Sequence, residues 1–315
     1  MAKKALVVGL NNYPFAPLQG CINDAEQIAK LLSRNGDGSP NFHVRLETDK
    51  EMTFDKAKLK RMIKELFDYD DTVLFYFSGH GHLNTFGGYI VTPDAKQYDE
   101  GVSMDEILKV ANESRARNKI IILDCCHSGQ MGTPNIQGSS TTQIGQGVTI
   151  LTACQSSEYA VERSGQGLFT GLLVDALEGA AADLSGNVTP GSIYWYVDKA
   201  LGPWEQRPVF KTCVNEYVSL RTVRPPIPLD ILRKIPEFFP EPDYEFRLDP
   251  TYEFTESSAD PTNVSIFKSL QKMERVGLVV PVGEEHMYYA AINSKSCKLT
   301  NLGKCYWKFV KEGRI

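Results

Sequence analysis

Two apolar runs end in residues that could do chemistry together. Thr72-Val73-Leu74-Phe75-Tyr76-Phe77 runs into Ser78-Gly79-His80-Gly81-His82, and Ile120-Ile121-Ile122-Leu123 runs into Asp124-Cys125-Cys126-His127-Ser128-Gly129. Cysteine is intrinsically nucleophilic but mostly protonated at neutral pH, so it works best beside a base. A neighbouring histidine can take the thiol proton and later return it to a leaving amine. His80 with Cys126 therefore predicts acyl transfer through a covalent intermediate. His82 and His127 are alternative bases, although residue 127 directly follows the nucleophile and would have to fold back onto it. Cys125 reads as a core thiol, because successive strand side chains point to opposite faces. Cys125, Cys126, His80, His82 and His127 could also ligate zinc, but the paired spacing of zinc sites is missing.

The elements that must deliver these residues are legible around them. Both apolar runs read as buried parallel strands, and ligands of open α/β sheets bind beyond the carboxyl ends of such strands. Further strands are expected at Lys4–Leu10, Phe42–Leu46, Val148–Ala153 and Pro208–Thr212, the last closing the sheet. Helices are expected at Gly20–Ser33, Phe54–Phe67, from Ser103 onward, near Gly167–Glu178 and at Pro190–Leu201. Ser103 with Glu106 has capping-box spacing, and a hairpin is expected around Gly87-Gly88. Strand–helix alternation of this kind predicts a mainly parallel α/β sheet with helices on both faces. The polar stretch Gly129–Gly147 has almost no apolar anchor and reads as a mobile loop beginning just after Cys126.

Arg224-Pro225-Pro226-Ile227-Pro228 marks a boundary, with a first domain over 1–223 and a connector plus small α+β domain over 224–315. In the second, Asn263–Val276 and Leu299–Val310 read as helices and Leu278–Ile292 as a hairpin turning at Gly283. Helix, hairpin, helix resembles a winged-helix module. Residues 225–315 carry 12 Lys and Arg against 13 Asp and Glu. That balance lacks the basic footprint of nucleic-acid binding. A regulatory protein contact is the better expectation for this module, with DNA binding as the rival. The whole chain has a net charge of −5, 42% apolar and 23% charged residues, which is ordinary for a water-soluble globular protein. No secretory signal or membrane span is read in it. Seven scattered cysteines suit a reducing, cytoplasmic setting.

Asp-Cys-Cys-His-Ser-Gly together with Tyr-Phe-Ser-Gly-His-Gly resembles the caspase-type cysteine peptidases, in their metacaspase and prokaryotic caspase-like branch. Gly20-Cys21-Ile22-Asn23-Asp24-Ala25 and Leu151-Thr152-Ala153-Cys154-Gln155-Ser156 fit the same family, and the resemblance covers roughly residues 3–220. Caspases place the histidine about 50 residues before the cysteine; here 46 separate them. The caspase signature Gln-Ala-Cys-x-Gly is absent. The resemblance implies that His80 and Cys126 form the dyad and that backbone N–H groups of Gly81 and Cys126 form the oxyanion hole. It also implies that Asp24, Asp124 and Ser78 line the S1 pocket. Two carboxylates there would favour arginine or lysine at P1. The alternative for Asp24 is a surface helix residue; for Asp124 that alternative is weaker, because a carboxylate closing an apolar strand needs a partner.

Metacaspases often require calcium, but the paired aspartates of that site are replaced by Met104-Asp105. Asp94, Asp99 and Glu100 are the other candidates; calcium prefers six or more oxygen ligands, so no cofactor is expected. The reading is thus an endopeptidase acting on protein or peptide substrates with a basic P1 residue. The rival is a caspase-fold signalling adaptor without turnover. There is no lysine or arginine between Lys119 and Arg163. Such an enzyme could not cut its own 129–147 loop, leaving Arg221, Arg224, Arg233 and Lys234 as conceivable self-cleavage points.

Overall fold

A computed structural model describes residues 3–51, 53–125, 128, 131, 143–153, 162–163, 166–202, 207–216 and 218–315. Cys126, His127 and most of the Gly129–Gly147 stretch lie outside the described residues.

The chain divides into two units, 1–182 with 187–224 and 183–186 with 225–315. The first begins β1 (Lys3–Gly9), α1 (Cys21–Ser33), β2 (Phe42–Thr48), α2 (Lys56–Phe67) and β3 (Thr72–Ser78). A small antiparallel sheet follows, β4 (Gly81–Asn84), β5 (Gly87–Lys96) and β6 (Asp99–Ser103), and then α3 (Met104–Glu113). Next come β7 (Asn118–Asp124), β8 (Val148–Thr152), the two-residue strands β9 (Glu162–Arg163) and β10 (Gln166–Gly167), and α4 (Leu168–Asp175). Helix α4 runs on into a π-helical turn at Ala176–Ala180. The unit ends with β11 (Asn187–Val188), α5 (Pro190–Leu201), β12 (Val209–Cys213) and β13 (Arg221–Thr222).

The main sheet has the order β12-β8-β7-β3-β1-β2. All its pairings are parallel except that of the edge strand β12. Every residue of β3 and β7 is buried. Both faces are covered, which is why these strands are continuously apolar rather than alternating. On one face Phe75, Phe77, Ile121 and Leu123 pack with Leu59, Met62 and Ile63 of α2 and Ile107 and Leu108 of α3. On the other, Leu74, Tyr76, Ile120 and Ile122 pack with Ala25 and Ile28 of α1, Phe169 and Leu173 of α4, and Ile193 and Val197 of α5. The chain turns outward in opposite directions from β1 and β3, so their carboxyl ends form the crevice where α/β sheets build sites.

The expected α/β architecture is present, with two local corrections. Ser103 makes no side-chain cap bond to α3. Its intended partner Glu106 instead pairs with Lys60 of α2, Nζ to Oε2 at 2.6 Å, so an ion pair between helices displaces the capping box.

The second correction is in the other unit. Its elements are α6 (Leu229–Leu232), α7 (Ile235–Phe238), β14 (Glu245–Arg247), α8 (Pro261–Arg275), β15 (Val279–Val282), α9 (Met287–Ile292), β16 (Ser296–Leu299) and α10 (Asn301–Lys311). Leu278–Ile292 is therefore a strand and a helix, not a hairpin. The buried residues of its second half, Met287, Ala290 and Ala291, recur at helical spacing. Strand β16 supplies the antiparallel partner instead, lying between β14 and β15. The helix–hairpin–helix order read as winged-helix-like is thus replaced by helix–strand–helix–strand–helix around one core of Phe239, Phe267, Leu270 and Cys297.

Candidate active site

Strands β3 and β7 run in parallel register with Ser78 beside Asp124. That register brings two candidate segments to one edge from positions 46 residues apart. Asp124 shares a face with Ile120 and Ile122, and α1 covers that face. The stripe Cys21, Asp24, Ala25, Ile28 and Leu32 of α1 points inward. Gly9 permits the close approach: a Cβ there would lie 2.2 Å from the Cys21 carbonyl oxygen and 2.7 Å from Ala25 Cβ. The Asn11 side-chain oxygen accepts the N–H groups of Cys21 and Ile22 at 3.0 and 3.3 Å, fixing the start of the helix.

Asp24 is only 1% exposed and Asp124 only 6%. Asp24 is therefore not a surface helix residue. Ser78 Oγ donates to Asp24 Oδ2 at 3.3 Å, and the Gly167 N–H donates to the same oxygen at 3.2 Å. Thr170 Oγ1 donates to Asp124 Oδ2 at 2.6 Å. A hydroxyl has a single proton. Thr170 spends its own on Asp124, so the Tyr76 hydroxyl, 2.6 Å away, donates to Thr170. Burial first, then the Asp124 and Asp24 carboxylates, push the Tyr76 phenol well above its ordinary value and keep that proton in place. A Cβ on Gly167 would sit 2.5 Å from Asp124 Oδ2 and 3.1 Å from Asp24 Oδ2. Both carboxylates thus converge on one glycine that leaves room beside them.

His80 is half-buried at the end of β3 and held by three neighbours. Its backbone N–H donates to the Tyr13 hydroxyl at 3.1 Å, and that hydroxyl donates to the Val91 carbonyl at 3.2 Å. The Tyr13 ring meets the imidazole edge-on, with centroids 4.6 Å apart. Burial pushes the Tyr13 phenol well up, so it stays a donor. Nε2 of His80 lies 2.6 Å from the Ala16 carbonyl oxygen. A carbonyl only accepts, so Nε2 carries the proton and Nδ1 of the neutral ring is the acceptor. A pocket of about 520 Å³ opens beside His80, Gly81 and His82 over Phe15 and Val91.

The other predicted residues are placed as follows. Gly81 opens β4 opposite Ile90. Cys125 is buried in the core with Leu123 and Ile121, as expected of a structural thiol. His82 faces Glu100, Nε2 to Oε1 at 4.0 Å. Cys126 and His127 lie outside the described residues. The calcium candidates have protein partners: Asp94 accepts the Lys56 N–H at 3.1 Å, Asp99 pairs with the Lys56 ammonium, and Glu100 accepts the Tyr98 N–H at 3.2 Å. Burial pushes the Asp105 carboxyl up. Among the described residues no group of three or more His, Cys, Asp or Glu is placed to hold a metal.

Thr170, Gly167, Tyr13 and the Ala16 carbonyl escaped the sequence reading. Thr170 left one signal, a hydroxyl inside the apolar run Leu168-Phe169-Thr170-Gly171-Leu172-Leu173. A backbone carbonyl leaves none.

The caspase-domain profile matches residues 2–217. The chain belongs to the caspase-domain family. Its family chemistry is that of cysteine peptidases, hydrolases of peptide bonds, with proteins as substrates. No curated protein matches this caspase-domain chain. Among solved structures, a protein from Geobacter sulfurreducens is similar at a TM-score of 0.52 and 19% identity, over 71% of this chain and 98% of that one. That likeness is one of fold. Among the described residues, no helix is long and apolar enough to cross a membrane.

Proposed function

We propose that this caspase-domain protein is a cysteine endopeptidase that cuts after arginine or lysine through a Cys126–His80 dyad. The observation that carries this reading is the convergence of Asp24 and Asp124 on Gly167 at the edge where His80 stands. A P1 guanidinium entering beside Gly167 meets two carboxylates already shielded from water, where charge-assisted bonds are strongest. An aspartate at P1 would meet like charge instead.

The reaction follows from the residues' roles. Nδ1 of His80 takes the Cys126 thiol proton, and the thiolate attacks the scissile carbonyl carbon. The N–H groups of Gly81 and Cys126 receive the developing oxyanion. The tetrahedral adduct collapses to a thioester as His80 gives its proton to the leaving amine. Water then yields a proton to His80 while its oxygen attacks the thioester, and the thiol recovers its proton as the acid leaves. The Ala16 carbonyl holds the imidazole by Nε2 throughout. The carboxylate partners described above argue for activity without calcium, and the unbridged thiols Cys213 and Cys305 suit a reducing, cytoplasmic setting. The unit over 225–315 serves as a regulatory protein-binding module, for which its balanced charge is suited.

A positional fluorogenic peptide panel tests the assignment, with and without calcium. Cleavage follows Arg or Lys and disappears in Cys126→Ala, whereas Cys125→Ala cleaves normally; the reverse pattern of thiols, or cleavage after Asp, overturns it. Mass analysis of the active protein should find no new terminus within 129–147.

A further inference from the structure

The opposite edge of the same sheet holds a second cavity, of about 440 Å³. Arg115, Arg117, Lys119, Asn118, Gln146 and Glu216 line it. It lies where the chain enters β7 and β8. The Lys119 N–H donates to the Gly147 carbonyl at 2.8 Å, and the Gly147 N–H donates to the Cys213 carbonyl at 2.6 Å. Gly147 has φ +80°, and a Cβ there would fall 2.3 Å from the Arg117 carbonyl oxygen and 3.3 Å from Lys119 Cε. Only glycine lets the backbone close over the lysine stem in this way.

Lys119 is 5% exposed as a residue, its stem packed away; among the described residues no hydrogen bond or ion pair reaches its ammonium, which is not sealed off from solvent. Burial alone pulls that ammonium below the ordinary lysine value. An ammonium partly stripped of water and given no protein partner is costly to hold, and packing alone would be served better by an apolar chain of the same length. Arg115 also lacks an ionic partner among the described residues. Among the described residues Arg117 pairs only with Glu216, Nη1 to Oε2 at 3.7 Å, and both are more than half exposed; such surface pairs contribute little. Three cations therefore share one weakly engaged acid. Among the described residues no aromatic ring lines the cavity to serve as a platform for a base.

We propose that this cavity binds a compact, multiply charged phosphate chain. Separate phosphoryl groups can reach Arg115, Arg117 and Lys119 together, and Arg suits their planar, bidentate contacts. Filling the site would tie the starts of β7 and β8 to the end of β12. The proposal is independent of the peptidase assignment.

Calorimetric titration of the full chain with inorganic tripolyphosphate tests it. Binding should saturate, and Lys119→Met or Arg115→Ser should each weaken it by about tenfold or more. Glu216→Gln should tighten it, a change of sign that a merely structural role does not produce. Arg115 is exposed, so its substitution leaves the fold intact even if Lys119→Met does not. ATP should bind no tighter than tripolyphosphate. The proposal is overturned by no saturable heat up to about 10 mM. Affinity unchanged in both Arg115→Ser and Glu216→Gln overturns it as well, and so does a clear preference for ATP, which would mean that a nucleoside is recognised.

Discussion

Strand β7 carries a buried lysine near one end, Lys119, and a buried aspartate at the other, Asp124. The two are treated differently. Asp124 receives a hydroxyl hydrogen bond backed by a second hydroxyl, so its charge is aimed and held. Lys119 opens toward a cavity with its ammonium unbonded among the described residues. Donors built around a charge make a rigid, discriminating site, as the proposed S1 pocket requires. A charge left without protein partners makes a site whose occupant must supply them. One strand thus presents opposite chemistries at its two ends, and the parallel sheet keeps them apart by its own length.

The largest expected effect is at the anionic end. Asp24→Asn or Asp124→Asn should lower kcat/KM for Arg and Lys substrates by about a hundredfold or more, as expected when one member of a buried charge pair is removed. No preference for Asp at P1 should emerge; if Asp124→Asn cleaves Arg substrates like the wild type, the two ends of β7 are not functionally distinct. Gly167→Ala should come next. Its methyl meets Asp124 Oδ2 at 2.5 Å, and the carboxylate must shift, which predicts about a tenfold rise in KM with little change for a substrate lacking the P1 cation. Thr170→Val leaves Asp124 and Tyr76 each short of a partner. Thermal or urea denaturation should show a loss of about 1–3 kcal/mol. Adding Tyr76→Phe to that variant should cost less than Tyr76→Phe does alone, since the shared hydrogen bond is already gone.

The smallest effect sharpens the cationic end. The Lys119 ammonium has its folded-state pKa lowered, so the folded protein holds its proton less tightly than the unfolded chain does. The resulting penalty is fully present below the folded value and fades as pH rises from there through the ordinary lysine value. Lys119→Met should therefore be the more stable protein near neutral pH. Its advantage should shrink as pH climbs into the lysine range, read from denaturation midpoints across pH. An advantage that stays flat with pH would mean that the lysine bears no burial penalty.

The strands that matter were legible because a strand covered on both faces keeps its middle apolar and confines polar side chains to its ends. Thr72–Phe77 and Lys119–Leu123 announced themselves in this way, as did the helical stripe of α1. Cys125 was assigned to the core from alternation alone, and it packs there. The failures were of another kind. Met287-Tyr288-Tyr289-Ala290-Ala291-Ile292 is rich in aromatic and apolar residues, so it passed for a strand until its buried positions showed the helical period. Ser103 and Glu106 had the right spacing, but Lys60 lies far away in the chain and took the glutamate.

By itself the sequence determined the sheet-forming runs, and it marked candidate residues at their ends and a proline-rich stretch near residue 224. These are local consequences of apolar patterning and of proline and glycine chemistry. Only the tertiary structure decided that Asp24 is buried, that Gly167 and Thr170 belong beside Asp124, and that the Ala16 carbonyl fixes the His80 tautomer. It alone also gathered Lys119, Arg115 and Glu216 around one cavity. Arg115 and Lys119 are neighbours in sequence, but the other contacts join residues scores or more than a hundred positions apart, and no local spacing records which distant donor will meet a buried charge.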